Sequence, residues 1–213
     1  MLQRRRALVA TLAAGSAAAA PSLQEAALNS AMALLQVASA GPGLARSVAV
    51  VPHALATLVA ALAECSTTAV TSLQGVAADC ALVLARIASA GPDLARCVVA
   101  VPRAPAILVA ALAAGTAGAT PGLQGVAANS ALALATITDD DPGLAWQVAR
   151  VPGALATLAA AMAVGTAVDM KKLQRATAYS AEAGPELARR VAEVPGALAT
   201  LAATIGQVLA LWW

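Results

Sequence analysis

Apolar and polar positions along the chain recur with a period of fifty residues. Three dipeptides mark the period: a Leu-Gln pair, a Gly-Pro or Asp-Pro pair, and a Val-Pro pair. A fixed spacing of this kind predicts a repeat protein, in which each unit is one supersecondary element stacked on its neighbours. The pairs stand at residues 23–24, 73–74, 123–124 and 173–174 (Leu-Gln), at 41–42, 91–92, 141–142 and 184–185 (Gly-Pro or Asp-Pro), and at 51–52, 101–102, 151–152 and 194–195 (Val-Pro).

Within each unit the pattern predicts three helices. The first is long, residues 23–39 in the first unit, and its apolar positions follow the helical period. A short helix opens at the Gly-Pro step, where proline loses no hydrogen bond. The third helix opens at Val-Pro, and loops are predicted at residues 115–122 and 165–172. The expected buried positions of the first unit are Leu23, Ala26, Ala27, Ser30, Leu34 and Val37 on the long helix, Leu44 and Val48 on the short one, and Leu55, Leu58, Val59 and Leu62 on the third.

The period divides the chain into one continuous array without a domain boundary. A partial leading unit covers residues 1–20, three full units cover 21–70, 71–120 and 121–170, and a shortened unit covers 171–213. In the leading unit Arg5 stands where the next unit has Leu55, as expected of an outer cap that has no neighbour to pack against. The predicted fold is therefore an all-α solenoid of about four three-helix units.

The long helix opened by Leu-Gln, the following Leu-Ala-Arg and the Val-Pro-Gly-Ala-Leu-Ala-Thr-Leu segment together resemble an armadillo-repeat protein, with HEAT-like arrays as the close second. The resemblance covers most of the chain, although the unit is longer than usual. It implies a right-handed superhelix that binds protein partners along a concave face lined by the long helices. Peptide-binding members carry Asn and Trp ladders there, and this chain does not: the corresponding places hold Gln36, Arg86 and Thr136, and Met32, Leu82 and Leu132.

Composition raises the question of a membrane. Hydrophobic residues make up 60% of the chain, 63 residues are alanine, and the mean hydropathy is +0.78. A spanning helix needs about 20 consecutive apolar residues, but Gly, Pro and polar residues interrupt even the longest charge-free stretch, residues 104–138. We therefore expect core helices, with a membrane an unlikely partner.

The basic N-terminus leaves two interpretations open. Residues 4–6 are arginines followed by an alanine-rich stretch, which is typical of a targeting segment. The same stretch repeats the third-helix pattern of the later units, which favours a structural helix. Three scattered cysteines indicate no disulfide framework and are consistent with a reducing compartment. We expect a cytoplasmic location, with organellar import through the N-terminus as the alternative.

Two series of polar residues are candidate binding surfaces. One lies on the long helices, and a solvated helix face is its ordinary interpretation. The other is an arginine ladder on the short helices, broken by Trp146. Such arginines could meet phosphates or an acidic partner, or they could pair with nearby acids. The net charge of +2 and the lack of interleaved aromatic residues argue against nucleic acid as a partner. The long-helix residues are Asn29, Asp79, Asn129 and Tyr179, with Gln36, Arg86 and Thr136 seven positions later; the ladder is Arg46, Arg96 and Arg189.

The sequence lacks the groups that usually form a catalytic site. His53 is the only histidine, and its place at the start of a helix predicts a surface position. Cys80 stands where other units have Ser, so we expect a buried structural thiol, and Cys65 and Cys97 show no metal-ligand spacing. Residues 139–141 are three aspartates, expected to form a charged turn and a helix cap. No cofactor or metal is predicted.

These observations predict a non-catalytic protein-interaction scaffold or assembly subunit. The alternative is an organellar RNA-binding helical-repeat protein, suggested by the arginine ladder and the basic N-terminus. Self-association is a separate expectation, because the apolar Trp212 and Trp213 stand at an end where a solenoid would carry a polar cap.

Overall fold

The structure is a computed structural model that describes residues 2–118, 120–139, 141–164 and 193. Within these residues it is all-helical, with ten α-helices and no strand. In chain order they are α1 (Leu2–Ser16), α2 (Pro21–Ser39), α3 (Pro42–Ala49), α4 (Ala54–Cys65), α5 (Thr71–Ala88), α6 (Pro92–Ala100), α7 (Ala104–Ala117), α8 (Pro121–Thr138), α9 (Pro142–Ala149) and α10 (Ala154–Val164).

The short helices begin at the proline where the sequence predicts, whereas the long helices begin two residues before the Leu-Gln pair that was predicted to open them. Proline is the first residue of α2, α3, α6, α8 and α9, where its fixed φ suits the helix and its missing N–H costs nothing. Gly41 and Gly91 precede α3 and α6 with φ of 148° and 153°. Glycine adopts such values without steric cost.

The predicted start of the third helix was wrong by two residues. The chain makes a turn at Val-Pro, and α4, α7 and α10 begin only at the alanine that follows. The residue before each of these alanines has left-handed φ: 62° at His53, 65° at Arg103 and 78° at Gly153. A residue in this conformation cannot be part of a right-handed helix, so the helix starts after it.

The loop predicted at residues 115–122 was too long. Helix α7 continues to Ala117 and α8 begins at Pro121, so Gly115 is helical. A Cβ atom at Gly115 would overlap the carbonyl oxygen of Leu123 and the side chain of Ala127. This glycine therefore lets α7 and α8 approach closely, as Gly15 does for α1 and α2, where a Cβ would overlap the Leu23 carbonyl.

Equivalent helices pack side by side. The long helices α2, α5 and α8 contact one another in that order, and the third helices α1, α4, α7 and α10 do likewise. The short helices α3, α6 and α9 contact the other two kinds. One continuous core runs through this arrangement, and besides many alanines its largest fully buried side chains are Leu12, Leu34, Leu58, Leu62, Leu84, Ile87, Leu108, Leu112, Leu134 and Ile137.

Two predicted core residues of the first unit are exposed. Leu23 is 45% exposed and Leu44 is 39% exposed, whereas the equivalent Leu73 and Leu94 are 8% and 4% exposed. Helix α2 packs against α5, whereas no described long helix packs against α2 from the other side, which accounts for the exposure of Leu23. Val48, Leu58 and Leu62 are buried as predicted.

Among the described residues, α5 alone is a single helix long and apolar enough to cross a membrane. Two helix pairs, α3 with α4 and α6 with α7, reach the same criterion together but are bent by 85° and 86°. In the qualifying stretch of α5, 61% of the residues are buried within the protein.

Candidate partner-binding surface

The candidate surface lies on the three adjacent long helices, with α5 in the middle. Small residues allow these helices to approach. A Cβ at Gly75 of α5 would lie 3.1 Å from Leu28 Cδ1 of α2, and a Cβ at Gly125 of α8 would lie 3.8 Å from the Cβ of Ala78 of α5. Gly75 and Gly125, which are fifty residues apart, therefore face equivalent residues of the preceding long helix, as the period predicts.

The first set of candidate residues does not have one common role. Asn29 is exposed on α2. Asn129 is half-buried on α8, and its Nδ2 donates a hydrogen bond of 2.9 Å to the carbonyl oxygen of Ala78 on α5. This bond makes Asn129 a structural link between two long helices.

Asp79 occupies the same register as Asn129 but lacks an equivalent bond. It is half-buried on α5, and burial raises the pKa of its carboxyl group above the ordinary 3.8. Among the described residues no hydrogen bond or ion pair reaches its carboxylate. A carboxylate cannot donate a hydrogen bond to a backbone carbonyl, so Asp79 cannot form the kind of bond that Asn129 forms. Asp79 is thus a poorly compensated charge at the centre of the three helices.

The second set, seven positions later, is also divided. Gln36 and Arg86 are exposed at the ends of α2 and α5. Thr136 is half-buried, and its Oγ1 donates to the Leu132 carbonyl within α8 at 2.8 Å. The structure therefore leaves Asn29, Gln36 and Arg86 accessible. Tyr179 and Arg189 lie outside the described residues, as do Trp212 and Trp213.

In the part of the chain that the structure describes, the arginines of the ladder form ion pairs with aspartates. Arg46 on α3 forms a forked pair with Asp93 in the first turn of α6, with Nη1–Oδ2 at 2.7 Å and Nη2–Oδ1 at 3.4 Å. Both side chains are more than half exposed. The hydrogen bond from Arg46 lowers the pKa of Asp93, and the same contact raises the pKa of Arg46.

Arg96 repeats this contact fifty residues later with a differently placed aspartate. Its Nε and Nη2 donate to Oδ2 of Asp141 at 3.0 and 2.8 Å. The other oxygen, Oδ1, accepts from the backbone amides of Gly143 and Leu144 at 2.9 and 3.4 Å. Asp141 therefore caps α9, which confirms the helix cap predicted from the three aspartates. The pKa of Asp141 is lowered, chiefly by the hydrogen bond from Arg96 and also by the two amides.

The repeated Leu-Gln pair marks a role that the sequence did not reveal. Gln24 Nε2 donates to the carbonyl of Ala18 at 3.0 Å, and Gln74 Nε2 donates to the carbonyl of Thr68 at 2.9 Å. Each glutamine thus holds the loop that enters its long helix. Gln74 is 2% exposed, and its Oε1 also accepts from Thr120 Oγ1 of the next unit at 3.1 Å. The signal in the sequence that could have indicated this role was the strict recurrence of a glutamine directly after a leucine.

A cavity of about 200 Å³ lies between the turn that joins α5 to α6 and the turn that joins α8 to α9. Its lining includes Ser89, Thr136, Asp139 and Asp141. Asp141 is already engaged with Arg96 and the start of α9, so its carboxylate has little capacity for a further ligand.

The residues weighed for catalysis or metal binding lie apart. His53 is exposed, as predicted. Cys80 is buried as expected, and burial raises the pKa of its thiol well above the ordinary 9.0; burial raises the pKa of Cys65 to about 11. Cys97 is exposed. Across the described ranges, no three His, Cys, Asp or Glu side chains are grouped so as to hold a metal ion.

Comparison with known proteins adds little. No protein-family model matches the chain, and no curated protein matches it. Among solved structures it is similar to the crystal structure of an engineered protein, at 16% sequence identity and a TM-score of 0.43, over 93% of each chain. A likeness of this degree carries no argument about function.

Proposed function

We propose that the chain is a non-catalytic protein-interaction scaffold or assembly subunit. In this proposal it is a right-handed armadillo-like solenoid of about four three-helix units that binds protein partners along its long helices, in the cytoplasm. The fifty-residue period, the offset of fifty between the first residues of α2, α5 and α8, and the side-by-side contact of equivalent helices support the solenoid.

Asp79 is the observation that carries the proposal. It is half-buried, uncompensated among the described residues, and placed on the middle one of three packed long helices. Charges that a fold leaves poorly compensated are found more often at functional sites than elsewhere. Asp79 and the exposed Arg86 lie two helical turns apart on α5, so a partner with a basic and an acidic side chain at a similar spacing would match both.

The RNA-binding alternative has weaker support. It depends on arginines that are free to meet phosphates, but Arg46 and Arg96 each hold an aspartate at 2.7–3.0 Å. An RNA phosphate would have to displace a carboxylate at both places. Exposed arginines remain on α1, and a salt-dependent titration with single-stranded RNA would detect binding through them.

The test is partner capture with charge-reversed variants. The wild-type chain and its Arg86→Glu, Asp79→Lys and Arg150→Glu variants would be used as baits in cross-linking pull-downs. Arg150 is exposed and directly follows the short helix α9, so it belongs to no long helix and its variant is a matched charge control. We expect a set of partners that Arg86→Glu and Asp79→Lys lose and Arg150→Glu retains. Capture of no protein, or equal capture by all four baits, would overturn the proposal.

A further inference from the structure

An open groove of about 490 Å³ runs between α1 and the turn that begins α4. None of its lining residues belongs to a long helix, so it is separate from the surface proposed above for protein partners. Its volume lies within the range of small-molecule sites, roughly 300–1,000 Å³.

The groove has an apolar floor. Val9 of α1 and Val51 of the turn are 6% and 3% exposed and form its base. Ala10, Ala13 and Pro52 are exposed along its sides. Such a surface favours contact with a hydrocarbon chain, because covering it removes apolar area from water.

The charge on the groove is of one sign. Among the described residues of its lining, Arg6 carries the one guanidinium, and the polar side chains of His53 and Thr57 also line the groove. Helix α1 holds three arginines and no acid over residues 2–16. The acid of α4, Glu64, lies near the other end of that helix, where its carboxylate accepts a hydrogen bond from Ser16. Among the residues that the structure describes, no carboxylate therefore lines the groove beside Arg6.

The repeat provides an internal comparison. Fifty residues later, Ala56 replaces Arg6 and Ile107 replaces Thr57. The second groove also has a guanidinium, because Arg103 replaces His53, and the hydroxyl group of Thr57 recurs as Thr157. What the first groove has that the second lacks is an arginine on the helix side, at Arg6, whereas Val9 and Val51 correspond to Val59 and Val101. Packing accounts for the shared valines. It does not account for a cation in this place.

We propose that this groove binds a small amphiphilic anion, a carboxylate on an unbranched hydrocarbon chain. The hydrocarbon lies over Val9 and Val51 between Ala10 and Ala13, and the carboxylate meets Arg6. A guanidinium can hold both oxygens of a carboxylate at once, which gives geometric as well as electrostatic selectivity. The chemistry is that of a medium-chain fatty acid, met as the free acid and not as part of a membrane surface.

Isothermal titration calorimetry with monomeric decanoate tests the proposal on the full-length chain. We expect one site in the wild type and a loss of affinity of about tenfold or more in Arg6→Glu, because the ion-paired hydrogen bonds are replaced by repulsion. Arg4→Glu is the matched control, since Arg4 is exposed on the same helix but outside the groove. It should bind decanoate within about twofold of the wild type, because exposed charges outside a contact interact weakly.

Two further titrations distinguish binding in the groove from non-specific adsorption of an amphiphile. Ala13→Trp adds an indole to an exposed position on the side of the groove and should abolish binding while leaving the circular dichroism spectrum unchanged. Decylamine, which has the same chain and the opposite charge, should not bind. Equal losses in Arg6→Glu and Arg4→Glu, or equal binding of the amine and the acid, would overturn the proposal. So would binding to phosphatidylglycerol vesicles without binding to free decanoate, which would indicate a membrane surface instead.

Discussion

Two junctions between successive units bury equivalent apolar residues but differ in their polar contacts. The first junction joins α2 and α3 to α5 and α6, and the second joins α5 and α6 to α8 and α9. Val76 and Val126, at equivalent places, are both fully buried. The second junction adds the bond from Asn129 to Ala78, the bond from Thr120 to Gln74, and an aspartate that both caps a helix and pairs with arginine.

The first junction has fewer such contacts. It holds the exposed pair of Arg46 and Asp93, and it leaves Asp79 without a partner among the described residues. The difference shows that apolar packing maintains the period while the polar contacts have diverged. The second junction is therefore well hydrogen-bonded, whereas the first leaves a charge available for a partner. Exchanging residues between the two junctions tests that distinction.

The largest effect is expected for Asn129→Asp, which gives the second junction the residue of the first. The change removes the hydrogen bond to the Ala78 carbonyl and brings a half-buried carboxylate close to that oxygen. We expect a loss of about 2 kcal/mol in the free energy of unfolding at neutral pH, measured by urea denaturation. Asn129→Ala, which lacks both the donor and the charge, should lose less. An Asn129→Asp protein as stable as the wild type would contradict the bond.

The next effect concerns the two aspartates of the ladder. Asp141→Ala removes a helix cap together with the ion pair, and we expect a loss of about 1 kcal/mol. Asp93→Ala removes a solvent-exposed pair and a carboxylate from the first turn of α6, but no N-cap side chain, and should be less harmful. Thermal unfolding of both variants gives the comparison, with Asp141→Asn as a control that retains the cap. Equal losses for the two alanine variants would show that the cap contributes nothing.

The pH dependence of the same aspartate has a definite sign. Arg96 and two backbone amides lower the pKa of Asp141 in the folded state. Its contribution to stability is therefore present above the unfolded pKa and is lost as the pH falls through the folded pKa. The stability difference between the wild type and Asp141→Asn should shrink on acidification below the ordinary value of 3.8. A difference that stays constant with pH would contradict the ion pair.

The opposite exchange, Asp79→Asn, should stabilise the protein. It removes a poorly compensated carboxylate and supplies a donor for the neighbouring helix, for a gain of about 1 kcal/mol from a new hydrogen bond. Because Asp79 is only half-buried, loss of the charge alone adds little. Urea denaturation at neutral pH measures the gain, and Asp79→Ala, which removes the charge without adding a donor, is the control. A loss of stability on Asp79→Asn would mean that Asp79 has a stabilising contact.

The smallest effect is expected for the glycines that face each junction. Gly125→Ala adds a Cβ at an ordinary contact distance of 3.8 Å, so the higher helix propensity of alanine should give about 0.5 kcal/mol. Gly75→Ala places its Cβ 3.1 Å from Leu28 Cδ1, so Leu28 must shift and the gain should be smaller. Differential scanning calorimetry resolves the order, and a larger gain at Gly75 would show that the first junction is the looser one.

The apolar period and the prolines were sufficient to predict the helices. Leu58, Leu62 and Val48 are buried because each follows the 3.6-residue period, and the three short helices begin at a proline as expected. The left-handed residue before the third helix was not predictable in this way, because positive φ is uncommon for residues other than glycine and the places hold two different non-glycine types, His53 and Arg103.

The candidate surface was predictable only in part. Register alone placed Asn29, Asp79 and Asn129 on one face of three helices. It could not show that Asn129 would bond to a neighbouring carbonyl while Asp79 would not, because that depends on the approach of two helices by way of Gly125. The partners of Arg46 and Arg96 were equally hidden, since Asp93 and Asp141 occupy different positions in their units.

The most direct test compares Asp79→Asn and Asn129→Asp in one set of unfolding curves across pH. At neutral pH the first variant should be more stable than the wild type and the second less stable. Burial raises the pKa of Asp79 in the folded state. The wild-type protein therefore has its full stability below the unfolded pKa, where Asp79 is protonated, and loses part of it as the pH rises through the folded pKa and the carboxyl group ionises. The charge-related part of the Asp79→Asn gain should therefore vanish below pH 3.8. Shifts of the same sign for both variants at neutral pH would contradict the difference between the two junctions.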